Sequence, residues 1–181
     1  MKTNTQRIAV LAVGIALFVA LSVCLQVPVF ENYYLCLGYA VVAVYCWSFG
    51  AGSGAIVGVL GVVLYCLVIN GLRGMPGWAL GNAVIGVILG TVFRKTKAMK
   101  NAAWKTLLNS TAIIVSAALG ILGVKSLTEC LLYAQPVIVR ISKNMSAFIA
   151  DTVMLLVSLP ICMVMDGKIK KMFRESSKDR S

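Results

Sequence analysis

Asp151 is the only acid set well inside an apolar run of this chain, in the stretch from Met145 to Met165. An ionisable group there is costly, and it is a functional candidate by default. It lies about six residues, roughly 9 Å, into its helix, near one end. It either contacts a ligand or pairs with Arg140 or Lys143. Trp78 and Asn82 stand one helical turn apart beside the glycine-rich turn at 71–77. On one helix face they offer an aromatic platform and a polar handle. Asn70, Arg73, Tyr33 and Tyr34 sit at helix ends on the same side, where tyrosines ordinarily form an interfacial belt. The candidate substrate-binding set is therefore Trp78, Asn82, Asp151, Arg140, Asn70 and Tyr33. Asn109 and Ser110 fall at the opposite end.

Several chemistries are excluded. The chain has no histidine, which removes His-based acid–base catalysis and His-ligated zinc or haem. It has no GxxxxGK[ST] phosphate loop. Its six cysteines are scattered through apolar runs without a CxxC pair and are expected to be reduced, small hydrophobes. No catalytic residue, metal ligand or cofactor is expected. An intramembrane enzyme would lack a nucleophile–base pair.

The elements that position these groups follow from composition. Of 181 residues, 60% are hydrophobic and 13% charged, an excess of apolar surface that must face lipid. A crossing takes about 20 apolar residues, so the expectation is a single all-α integral membrane domain, 1–181, with six transmembrane helices. They are expected near 8–27, 33–49, 55–70, 78–93, 106–124 and 145–165. An outer loop at 125–144 and a basic tail at 166–181 complete the chain. The first segment is too long for a signal-peptide core, and Gly50 to Gly54 breaks an uncharged stretch of 41 residues, 32–72.

Placing the N-terminus in the cytoplasm puts 13 of the 17 basic residues on that side, leaving Arg73, Lys125, Arg140 and Lys143 outside. This asymmetry predicts that both termini are cytoplasmic. The net charge of +11 is thus a topology signal, with attraction to anionic lipid as a side effect. No basic soluble domain exists to bind nucleic acid.

Ala12, Ala16 and Ala20 form a small-residue stripe on the first helix, suited either to partner docking or to internal packing. The pairs Gly54–Gly58 and Gly86–Gly90 point to close packing of the third and fourth helices.

Taken in order, these features resemble the substrate-binding S components of energy-coupling factor (ECF) vitamin importers. Ala16 to Val23 is similar to that family's AxxxA helix, and Phe49 to Gly58 to its glycine-rich turn. Trp78 to Gly90 resembles its fourth-helix pattern of spaced Asn and Gly. Ala150-Asp151 followed by Leu159-Pro160-Ile161 resembles the riboflavin-type subgroup. The resemblance covers residues 7–165.

It implies a non-catalytic subunit in the bacterial cytoplasmic membrane that captures a vitamin or related heterocycle at the outer face. Ala12, Ala16 and Ala20 would dock on an EcfT-like transmembrane coupling subunit, itself driven by two cytoplasmic ATPases. The competing readings are a structural six-helix protein of the cell-shape type, which needs no pocket, and a different small-solute transporter. The latter would want charges at the midplane of several helices.

Overall fold

Apolar chain removed from water must close its backbone hydrogen bonds locally, and helices do this best. In the computed structural model, backbone is described for residues 4–24, 27–30, 33–69, 71–72 and 74–178, and side chains for 4–24, 36–69, 71–72 and 74–164. The order is α1 (Asn4–Cys24), β1 (Val27–Phe30), β2 (Tyr33–Leu35), α2 (Gly38–Phe49), α3 (Ala51–Val68) and α4 (Met75–Thr96). Then come α5 (Ala102–Ala117), a π-helical stretch (Ala118–Lys125), α6 (Ser126–Tyr133) and α7 (Val137–Lys178).

Five helical stretches are long and apolar enough to cross a bilayer: Asn4–Cys24, Ala51–Val68, Met75–Thr96, Ala102–Tyr133 and Val137–Val164. α2 is also apolar but has only 12 residues, about 18 Å of helix.

Two sequence expectations need correction. The first concerns residues 27–35, which were divided between two helices. They form an antiparallel hairpin, with Val27 opposite Leu35 and Pro28 opposite Tyr34, so the fold is predominantly rather than wholly helical. Pro28 cannot donate a helical hydrogen bond, and the flanking valines, Phe30 and the two tyrosines favour extended backbone. The second concerns 125–144, expected as a loop. It is helical to Tyr133, turns through three residues, and resumes as α7 at Val137. Ala134 closes α6 in the left-handed conformation (φ 49°). The Pro136 carbonyl accepts the first bonds of α7, from Val139 and Arg140. The apolar residues of 130–139 thus belong to two helix ends. α7 runs on through Pro160 into the basic tail.

Elsewhere the boundaries shift little. Gly50 alone makes the α2–α3 break (φ 85°), and Gly52 and Gly54 lie in the first turns of α3.

Missing side chains set the packing. A Cβ on Gly86 would lie 2.5 Å from Ala55 Cα, and one on Gly90 would overlap Ala51 Cα. α3 and α4 therefore touch backbone to backbone over several turns, as their GxxxG pairs predict. Gly81 and Gly120 make a second such crossing, with Gly120 built to 2.7 Å from the Gly81 carbonyl. It joins α4 to the π-helical stretch.

On α1 the inward face is Gly14, Phe18 and Ser22. The Tyr45 ring fills the notch at Gly14 and donates its hydroxyl to the Val10 carbonyl at 2.7 Å. Phe18 fits against Gly38 and Gly61. Ala12, Ala16 and Ala20 are exposed on the opposite face. The outer surface of the bundle stays apolar too, with Leu60, Leu64 and Leu67 exposed on α3 and Leu80 and Val87 on α4.

Candidate functional site

α2 and α4 run side by side in the same direction. Their N-terminal ends meet through Tyr39 and Trp78, and their far ends through Trp47 and Phe93, whose rings are 5.2 Å apart. The site lies at the Tyr39 end. Trp78 Nε1 donates to the Tyr39 hydroxyl at 2.9 Å, and that hydroxyl donates to Asn82 Oδ1 at 2.8 Å. Asn82 Nδ2 donates in turn to the Gly58 carbonyl at 3.2 Å. The glycine leaves this carbonyl uncovered, so α3 completes a chain begun on α2 and α4.

Asp151, buried on α7, brings its carboxyl within hydrogen-bonding reach of the same Tyr39 hydroxyl. Lys125, the last residue of the π-helical stretch, lies within Coulombic reach of Asp151, and its ammonium is 5.9 Å from the Trp78 ring centre. Tyr65 of α3 packs edge-on against Trp78 at 5.6 Å.

Sequence-predicted Trp78, Asn82 and Asp151 therefore converge from two helices, and the residue that joins them is one the sequence reading missed. Tyr39 is fully buried in an apolar run. The available signal was that a buried tyrosine needs a partner for its hydroxyl. Lys125 was missed because it was placed in a loop. Its position depends on the wide turn before it, whose Ile121 carbonyl is taken up by the Ser126 hydroxyl at 3.1 Å.

Arg140 does not join this group. It sits about eleven residues, roughly 16 Å, before Asp151 on α7. It pairs with buried Glu129 (3.6 Å) and stacks on Tyr133 at 5.1 Å. Asn144 donates to both Ser126 Oγ and Glu129 Oε2, at 3.0 and 3.1 Å, clasping α6 to α7. The partners of Asp151 are thus Tyr39 and Lys125, not Arg140 or exposed Lys143. Asn70 and Arg73 lie outside the described residues. Tyr33 falls in β2 with its side chain outside them.

The chemistry of this arrangement is recognition. Tyr39 has a single hydroxyl proton and faces two acceptors, Asn82 Oδ1 and the Asp151 carboxyl. An ionised carboxylate accepts about four hydrogen bonds, more than Tyr39 and Lys125 supply. Among the described residues, no group of His, Cys, Asp or Glu is placed to hold a metal ion.

Residues 2–166 match the family model described as ECF-type riboflavin transporter, S component. No curated protein matches the chain significantly. The family match spans the apolar helices and the whole Tyr39 network, and agrees with the resemblance carried by the alanine stripe, the Gly50 turn and the Trp78–Gly90 pattern. The chain is a multi-pass membrane protein belonging to the S-component family of ECF-type vitamin transporters, riboflavin type.

Proposed function

We propose that this S component captures a vitamin-like heterocycle at the Tyr39 end, facing the outside, and passes it inward with an ATP-driven coupling module. Riboflavin, from the family's name, is the first ligand to test. The observation that carries this reading is the buried Trp78–Tyr39–Asn82 chain with Asp151 beside it. It combines an aromatic face with an acceptor still short of donors, which suits a flat ring bearing N–H groups. The hairpin and short α2 together serve as a sixth crossing, so both termini lie in the cytoplasm of a bacterial cell, as the charge asymmetry predicts. Arg140, Asn70 and Tyr33 complete the expected ligand set from the rim. The exposed Ala12, Ala16 and Ala20 face supports docking on an EcfT-like coupling subunit that carries two ATPases, since a flat stripe lets another helix approach closely.

The test is ligand binding by the detergent-purified chain, read by flavin fluorescence quenching and by native mass spectrometry. Binding is expected, with Asp151→Asn weakening it at least tenfold. Unchanged affinity would refute the assignment of Asp151. Ala16→Trp is expected to abolish uptake in cells while leaving that binding intact; loss of both would mean that the stripe packs internally.

A further inference from the structure

The end of the bundle opposite Tyr39 carries an open cleft of about 450 Å³ that the vitamin site does not use. Its walls are the α2–α3 break, Ser48 to Gly52, and the last turns of α4 from Gly90 to Lys97. Three cations gather there. Arg94 is exposed on the wall. Lys97 and Lys105 stand over the Trp47 ring at 5.3 and 5.1 Å from its centre, and Lys97 also bonds the Trp47 carbonyl.

Both acids with described side chains outside α7's C-terminal part, Glu129 and Asp151, sit toward the other end, so neither neutralises these cations. Trp47 lines the cleft and is 3% exposed, yet its indole N–H meets no acceptor among the described residues. The first turn of α3, which opens onto the same cleft, has no side-chain cap, leaving backbone N–H groups to face an anion.

Exposed apolar surface flanks the opening, with Ile56 and Leu60 on α3 and Val87 on α4. A phosphate group would meet the cations and backbone N–H groups, while attached hydrocarbon would lie along the two helices. A free phosphate has no use for that second surface.

We propose that this cleft is a binding site for the phosphate headgroup of an anionic phospholipid, with Arg94 as the bidentate contact and Lys97 and Lys105 as the supporting charges. Detergent binding does not depend on orientation in the membrane or on any vitamin ligand, so the proposal stands apart from the transport reading.

The test is native mass spectrometry of the full chain titrated with phosphatidylglycerol, with phosphatidylcholine, or with inorganic phosphate. One phosphatidylglycerol is expected to persist where phosphatidylcholine is stripped. Arg94→Gln should weaken its retention severalfold, and the Arg94→Gln/Lys97→Gln pair about tenfold or more. Lys100→Gln, outside the cleft lining, serves as the charge control and should leave retention unchanged. Unaltered vitamin binding, or an unaltered circular dichroism spectrum, confirms that the variants are folded. Equal retention of both lipids, or equal loss in the Lys100 control, would overturn the site. Displacement of the lipid by millimolar inorganic phosphate would identify a soluble phosphate as occupant and overturn the lipid assignment.

Discussion

Replacing Tyr39 by Phe removes one oxygen from the centre of the site and little else. The ring, fully buried at 0% exposure, keeps its place, so no large cavity opens and the loss is confined to hydrogen bonding. Two bonds disappear, at 2.9 Å from Trp78 and 2.8 Å to Asn82. Side-chain hydrogen bonds in membrane proteins average about 0.6 kcal/mol and reach about 1.7. Asn82 Oδ1 belongs at the upper end, because its residue is 1% exposed and the amide nitrogen is held by the Gly58 carbonyl. The oxygen cannot turn away to find another donor, and a stranded buried acceptor costs about 1–3 kcal/mol.

The expected destabilisation is about 1–3 kcal/mol in total. It would be read from reversible unfolding in mixed micelles by circular dichroism. In an Asn82→Ala background, Tyr39→Phe should cost about half as much, because one of its two partners has gone. A single-variant cost below about 0.5 kcal/mol, or strict additivity with Asn82→Ala, would refute the network as a structural unit.

Three further outcomes are expected. Gly90→Ala drives a methyl group into the backbone of α3 at Ala51 and should cost about 1–3 kcal/mol, whereas Gly52→Ala, whose added methyl meets nothing, should be neutral or stabilising; thermal melts of the pair decide this. Ala134→Gly relieves the left-handed backbone at φ 49° and should raise stability by about 0.5–1 kcal/mol, and a lower melting temperature would contradict that reading. Glu129→Gln leaves Arg140 in a site where its Nε already lacks a partner; it should cost about 1–3 kcal/mol, and an unchanged melt would mean the pair contributes nothing.

What the sequence revealed depended on the range of the interaction involved. Asp151 stood out because a lone acid in an apolar run is rare, and Trp78 with Asn82 because one helical turn separates them. The GxxxG pairs were legible because small residues at a four-residue spacing imply close approach. Tyr39 was not, since its importance comes from a residue 43 positions away. Its neighbours read only as helix.

The region 125–144 failed for a different reason. Its mixture of apolar and polar residues reads as irregular until α4 is in place, because the crossing at Gly81 and Gly120 is what gives the glycine-containing wide turn a surface to rest on. The hairpin at 27–35 was lost because long apolar stretches on both sides outweighed Pro28 and two tyrosines.

The backbone contact between α3 and α4 bears on how the molecule can move. With no side chain between Gly86 and Ala55, or between Gly90 and Ala51, the two helices cannot slip by a fraction of a turn without separating first. They act as one stiff strut, about 33 Å long from the 22 residues of α4. One end of this strut carries Trp78 and Asn82 and the other carries Arg94 and Lys97. A disturbance at the ligand end cannot be absorbed by shear along the strut, so it arrives at the basic end as a tilt of the whole lever.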